Sequence, residues 1–367
     1  MHGSTLRQDL EVETRRPSPG RTDRGHGRVG IGFDWLIVAL SAWFLGGLYL
    51  DGWAHIHVPE LETFFTPWHF VLYSGFVVLA LVLAVTAMRN RRRGAPWAQV
   101  MPPGYGLSLI GAALFLTAGV ADLIWHVLFG IEDGVEGLIS PSHLALAFGG
   151  GLIVTGPLRA ALRREEMGRR WSEHWPMVLS LTILLSVFTF FTEYASPFGT
   201  TWVAYVPEPR TAGHVFLRQA LGLASILIQS AILMAHVLYV LRRRPLPIGS
   251  LTIMLGVNTA LMAVIHDTYL ATGPVPLIVA AVLAGLAADI CHWWLRPAPD
   301  RVGAFRGFAF ATPAILYLFY FIAVMITASL WWSVHLWTGS IALAGGVGWL
   351  LSYLVVPPDA GSTSQRR

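Results

Sequence analysis

Long apolar segments constrain this chain more than any other feature. About ten stretches of roughly 18 to 25 mostly apolar residues follow one another, each long enough to cross a hydrocarbon core about 30 Å thick. Of the 367 residues, 54% are hydrophobic and 13% charged, a balance far from that of a water-soluble domain. We therefore predict an all-α, polytopic transmembrane bundle of about ten helices. The segments lie near 33–50, 65–88, 105–129, 141–162, 175–192, 215–241, 250–271, 275–295, 308–331 and 338–356.

The charges between these segments alternate along the chain. All 25 Lys and Arg residues are arginine, and most of them fall in every second loop. The positive-inside rule makes those loops cytoplasmic, so the helices form five hairpins with outer turns, and both termini are cytoplasmic. The net charge of +4 thus follows from multi-pass topology in the cytoplasmic membrane and does not indicate nucleic-acid binding. The arginine-rich regions are 7–28, 89–93, 163–170, 242–244, 296–306 and 366–367.

The composition divides the chain into four parts. Residues 1–30 are rich in Arg, Pro, Gly and Ser and predict a disordered, basic cytoplasmic tail. Residues 31–165 hold two similar helical hairpins, 166–357 hold further transmembrane helices, and 358–367 form a second cytoplasmic tail. The single cysteine, Cys291, excludes an internal disulfide and any thiolate cluster.

The two similar hairpins carry the same arrangement of acids and imidazoles. An Asp is followed four residues later by a His, which puts both on one face of a helix. A hydroxylated residue and a Pro then precede a second His, as an N-cap and a first-turn proline would. A Glu lies seven residues before this second His, and a Gly six residues after it allows close helix packing. The members are Asp51, His55, Glu62, Thr66, Pro67, His69 and Gly75, then Asp122, His126, Glu136, Ser140, Pro141, His143 and Gly149.

Each copy offers one carboxylate and two imidazoles at the same depth near the outer membrane face. A single interfacial histidine more often caps a helix or binds water, but two matched sets of costly ionisable groups favour function. We predict that Asp51, His55 and His69 form one metal site and that Asp122, His126 and His143 form another. Glu62 and Glu136 would either bind the metal as further ligands or accept hydrogen bonds that orient imidazole N–H groups. This ligand set suits copper, zinc, iron(II) or manganese, so the residues alone leave the metal open.

Acids and imidazoles also occur singly at the ends of other predicted helices. For these residues we expect structural pairing, with a proton path as the alternative. They are Glu193, His214, His266 and His335 near the outer side, and Asp289 and His292 near the cytoplasmic side.

In the two hairpins the chain resembles the C subunit of the copper-dependent membrane monooxygenases, the particulate methane and ammonia monooxygenases. That family has Asp, a His four residues later, an acid and a Thr-Pro-Ser-His segment, much like Asp51, His55 and ETFFTPWH ending at His69. It then repeats the theme with Asn where this chain has Asp122. The resemblance covers roughly residues 35–155 and implies copper at both sites.

The resemblance also implies a chemistry. A copper-binding membrane protein of this kind would carry out O₂-dependent oxidation of a small apolar substrate that arrives from the bilayer. Three protein ligands leave open positions on each metal, as oxygen chemistry requires. Other membrane subunits or a homo-oligomer are compatible with this hypothesis.

Two other classes of protein fit the same residues. A transition-metal transporter would use the two outer sites on one side and Asp289 with His292 on the other. A b-type haem protein would use histidines that face each other across helices, such as His69 and His143. Zinc or iron remains open as an alternative to copper.

Overall fold

The computed structural model describes residues 30–58, 66–130, 134–165, 170–200, 202–206, 208–266 and 273–358. These residues form thirteen α-helices and two short 3-10 helices, without a β-strand among them. The helices are Ile31–His57 (α1), Pro67–Arg92 (α2), Gly106–Phe129 (α3), Val135–Ile139 (α4), Pro141–Val154 (α5), Gly156–Arg163 (α6), Trp171–Phe190 (α7), Pro197–Thr200 (α8), Ala212–Leu241 (α9), Ser250–Ile265 (α10), Val275–Leu295 (α11), Val302–Thr327 (α12) and Val334–Val355 (α13).

The helix lengths confirm an all-α protein suited to a bilayer. In the described part of the chain, eight helices are long and apolar enough to cross a membrane, and the bent pair α5 and α6 makes a ninth if it counts as one span. Helix α10 is apolar but has only 16 residues, and the predicted segment there runs on into undescribed residues. Of the predicted tails at 1–30 and 358–367, only residues 30 and 358 lie within the described residues.

Two helix boundaries differ from the sequence-based prediction. Helix α1 continues past the apolar segment predicted at 33–50 to His57, so Asp51 and His55 share one helix, as their spacing predicts. The fourth predicted segment, 141–162, bends by 41° at Thr155. Pro157 explains the bend, because proline has no N–H to continue the helical hydrogen bonds across this point.

The two hairpins face each other through equivalent positions. We call α1 with α2 repeat 1, and α3 with α4 and α5 repeat 2. Phe44 and Phe115 each lie seven residues before the Asp of their repeat, and their rings meet edge to face at 5.1 Å. Asp34 and Tyr105 are also equivalent, and the Tyr105 hydroxyl donates to Asp34 at 2.6 Å. The repeats are therefore related by an approximate two-fold axis that passes between α1 and α3.

Glycines set the close packing inside each repeat. A Cβ on Gly75 would lie 3.0 Å from the backbone of Phe44, and a Cβ on Gly149 would lie 2.9 Å from the backbone of Phe115. These contacts are equivalent in the two repeats, and they confirm the packing role predicted for both glycines. Because a side chain would push the helices apart, the glycines fix the distance across which the Asp and His residues of each repeat meet.

A buried carboxylate links the start of α1 to two other segments, far from those Asp and His residues. Asp34 is fully buried near the start of α1, about 26 Å along the helix from Asp51. It accepts hydrogen bonds from Tyr105 and from Arg164, which follows α6. Helix α7 then packs against α1, α5 and α10, and so brings the end of α7 beside the first repeat.

Candidate metal centre

The structure brings Asp51, His55 and His69 together as triad 1. Asp51 and His55 lie one turn apart on α1, and His69 lies in the first turn of α2. The Asp51 Oδ2 atom is 3.3 Å from His69 Nε2 and 3.9 Å from His55 Nε2. Asp51 is 8% exposed, whereas the side chain of His55 is 36% exposed. Triad 1 thus has a buried carboxylate and one imidazole at the protein surface.

Asp122, His126 and His143 form triad 2 with the same geometry. Asp122 and His126 lie one turn apart on α3, and His143 lies in the first turn of α5. The Asp122 carboxylate is 3.5 Å from the Nε2 atoms of both histidines. Asp122 is only 1% exposed, so triad 2 is the more enclosed of the two.

Helix N-caps hold one histidine of each triad. Thr66 Oγ1 accepts the backbone N–H of His69 at 3.1 Å and also lies 3.1 Å from its Nδ1. Ser140 Oγ does the same for His143, at 3.5 Å from the backbone nitrogen and 2.8 Å from Nδ1. Each hydroxyl therefore caps the N-terminus of its helix. It also orients the imidazole ring so that Nε2 faces the Asp. The sequence predicts the caps, but the bonds to Nδ1 emerge only from the structure.

A backbone carbonyl fixes the orientation of His126. Its Nδ1 atom lies 3.3 Å from the carbonyl oxygen of Gly130, which directly follows α3. A carbonyl oxygen can only accept a hydrogen bond, so this contact favours the tautomer with its proton on Nδ1. The lone pair of Nε2 then faces Asp122. Gly130 has φ of 86°, a backbone conformation that glycine adopts without strain.

The donor spacing fits a bound metal ion. Two donors bound to one tetrahedral ion at about 2.0–2.2 Å lie about 3.4 Å apart. Three of the four Asp–His separations fall within 0.1 Å of that value, at 3.3, 3.5 and 3.5 Å. Asp122 Oδ1 is buried and accepts no hydrogen bond from the described residues, as expected of an oxygen that needs a cation. All candidate ligand atoms within each triad lie within 4.8 Å of one another.

Both triads line one cavity of about 160 Å³. The remaining wall is largely apolar and comes from both repeats and from α7. Phe44 and Phe115, the equivalent pair on the approximate two-fold axis, lie in this wall. Tyr73 and Glu193 add a phenol and a further carboxylate that the sequence analysis did not assign to the triads. The two predicted metal sites therefore share one chamber.

No protein-family model, no curated protein and no solved structure matches the chain. The function is therefore inferred from the geometry of the two triads together with the sequence resemblance of the two hairpins.

For the other residues near the triads in the sequence, the structure describes no contact with a triad ligand. Glu62 lies outside the described residues. Glu136 is exposed on α4. In the described residues, its backbone carbonyl accepts a hydrogen bond from the N–H of Ser140. The role predicted for Glu62 and Glu136 beside the triads stays a prediction. His57 stacks on Trp53 and lies outside triad 1.

Among the remaining ionisable groups, the predicted structural role is confirmed for Asp289. Asp289 on α11 accepts hydrogen bonds from the backbone N–H groups of Leu251 and Thr252 and from the Thr252 hydroxyl, at 2.7–3.2 Å. It thereby caps the start of α10. Glu193 lies 3.6 Å from His266 at the end of α10.

Proposed function

We propose that this protein is a copper-binding membrane oxidoreductase whose two triads act on one small apolar substrate with O₂. The observation that carries the proposal is the shared cavity, because both triads open into a single chamber with largely apolar walls. Two metal ions held there could each contribute to the reduction of one O₂ molecule. The resemblance of both triads to the monooxygenase C subunit supports copper as the metal.

The cavity size supports a small, apolar substrate. An engineered apolar cavity of about 150 Å³ holds one benzene molecule or a xenon atom. The present cavity, at about 160 Å³, has similar room for O₂ beside a short hydrocarbon. The aromatic rings of Phe44, Phe115 and Phe190 supply dispersion contacts but no hydrogen bonds, so polar substrates gain little by binding there.

The protein groups of the cavity have defined tasks in this proposal. Asp51 and Asp122 supply anionic ligands that balance the charge of the metal ions, and the imidazoles supply neutral nitrogen ligands. Bound copper would supply the electron transfer to O₂. An external reductant provides two electrons, and two protons complete the reaction of O₂ with a hydrocarbon to an alcohol and water. The apolar wall excludes bulk water from this reaction.

The geometry supports a transporter less well. A transporter needs a second, exchangeable metal site near the opposite ends of the helices, for which the sequence offers Asp289 and His292. The Asp289 carboxylate already accepts three hydrogen bonds at the start of α10. A group engaged in this way stabilises a helix end and is a poor ligand for a passing ion.

Oxygen consumption by the purified, copper-loaded protein tests the redox proposal. With a soluble quinol as reductant, we expect O₂ uptake to accelerate when ethane, propane or butane is added, and the corresponding alcohol to accumulate. The His69→Ala/His143→Ala variant should show neither effect, because each triad has lost its first-turn imidazole. A rate of O₂ uptake that does not change when hydrocarbon is added, or that is the same in the variant, would contradict the proposed chemistry.

A further inference from the structure

A third acid and imidazole meet beside the triad cavity. Glu193 lies in the short 3-10 helix that follows α7, and His266 directly follows α10. Glu193 Oε2 and His266 Nε2 are 3.6 Å apart. Their side chains are only 13% and 15% exposed. We call these two residues the Glu193–His266 pair.

The two facing atoms of the Glu193–His266 pair are buried and lack hydrogen-bond partners among the described residues. Glu193 Oε2 and His266 Nε2 are both inaccessible to solvent, and neither makes a hydrogen bond with the described residues. A separation of 3.6 Å is too long for a direct hydrogen bond. A charged Glu–His pair would close to about 2.7–2.9 Å. Since buried polar atoms without partners are costly, something is expected to bind between them.

The separation favours a metal ion over a water molecule. Two groups that share one water at about 2.8 Å from each lie about 4.5 Å apart. Two ligands of one transition-metal ion lie only about 3.4–3.6 Å apart. The observed 3.6 Å falls within the 3.3–3.9 Å range of the Asp–His separations in the triads. The pair therefore has the spacing of two metal ligands.

The position of the pair connects it to the triads. Glu193 lines the same cavity as both triads. His266 is not among the lining residues and contacts Glu193. A Cβ on Gly199 would lie 2.6 Å from the His266 ring, so the packing of this short segment holds the ring in place. Gly52, next to Asp51, packs in the same way against Phe190 and Ile265. The ends of α1, α7 and α10 thus form one close-packed wall beside triad 1.

We propose that the Glu193–His266 pair is a third metal site on the wall of the triad cavity, which binds a divalent transition-metal ion. With two protein ligands, the ion keeps water in its other positions and exchanges more readily than an ion in a triad. This inference extends the proposed function but requires only that the triads bind metal, not that they react with O₂.

Equilibrium dialysis against zinc chloride tests the third site, because zinc is redox-inert. The parent protein should bind two zinc ions tightly and a third more weakly. Loss of an outer-shell partner alone costs about 10–100-fold in metal affinity, so loss of a ligand should weaken the third ion at least as much. We expect Glu193→Gln and His266→Gln each to remove the weak ion and keep the two tight ones. Glu208→Gln, at an exposed glutamate, should leave all three.

The outcomes separate this inference from the proposed function. Retention of the two tight ions shows that a variant is folded, and the His69→Ala/His143→Ala variant should keep only the weak ion. No third ion in the parent, or a third ion that survives both Glu193→Gln and His266→Gln, would overturn the inference while the triads stand. A weak ion that binds without any tight ions in the parent would support the pair and contradict the triads.

Discussion

The Asp122→Ala variant is expected to bind one metal ion tightly where the parent binds two tightly. Asp122 is the only carboxylate of triad 2 and is almost fully buried, so its loss removes the anionic ligand from an enclosed site. The variant then offers the ion two imidazoles and no anionic protein ligand. We expect the affinity of triad 2 to fall by more than the roughly 100-fold that outer-shell changes produce. Metal analysis after loading with limiting copper(II) measures the loss.

Matched variants identify which triad has lost its ion. Asp51→Ala should remove the ion of triad 1 instead, and Asp51→Ala/Asp122→Ala should remove both. Asp300→Ala, at an exposed aspartate after α11, should bind as the parent does. Asp122→Asn places the residue of the monooxygenase C subunit in triad 2, and its amide oxygen should keep an ion with lower affinity. Two tightly bound ions in Asp122→Ala would contradict the assignment of triad 2.

The second large effect is expected at the helix caps. Thr66→Val and Ser140→Ala each remove a hydroxyl that caps a helix and bonds to the Nδ1 atom of a triad histidine. Without that bond the imidazole ring can rotate, and metal affinity should fall by about 10–100-fold at the affected triad. The lost cap should also lower the free energy of unfolding by about 1 kcal/mol. Competition with a chromophoric chelator measures the affinity, and thermal unfolding measures the stability.

Another cap in the same protein separates these two effects. Thr211 accepts the backbone N–H of His214 at the start of α9, as Thr66 does for His69, but His214 belongs to no triad. Thr211→Val should therefore lower stability without changing metal affinity. Thr66→Ser should restore both properties, since it keeps the hydroxyl. An equal loss of metal from Thr66→Val and Thr211→Val would show that the hydroxyls act only on folding.

Much of the architecture could be predicted because a bilayer restricts spanning segments to long apolar helices. Length and hydropathy locate the helices, and the spacing of Asp51 from His55 puts both on one helical face. The Thr-Pro and Ser-Pro caps place His69 and His143 in the first turns of their helices, as the structure confirms. These signals are local, so they can be read from a few neighbouring residues.

The shared cavity could not be predicted, because it depends on contacts between distant segments. The edge-to-face contact of Phe44 with Phe115 and the hydrogen bond of Tyr105 to Asp34 relate the repeats by an approximate two-fold axis. Neither contact has a periodic signature in the sequence. Glu193 and His266 are 73 positions apart, and only the packing of α7 against α10 brings them together. The bend at Thr155 has a local cause in Pro157, but its angle depends on the neighbouring helices.

Electron paramagnetic resonance of the copper-loaded protein tests the metal triads most directly. Cu(II) in a triad should show hyperfine coupling to imidazole nitrogens. After dialysis removes weakly bound ions, metal analysis should give one to two copper ions per chain, up to one for each triad. Both the coupling and the copper should be lost from the His69→Ala/His143→Ala variant. Equal copper in the parent and the variant, with the same spectrum, would contradict the account.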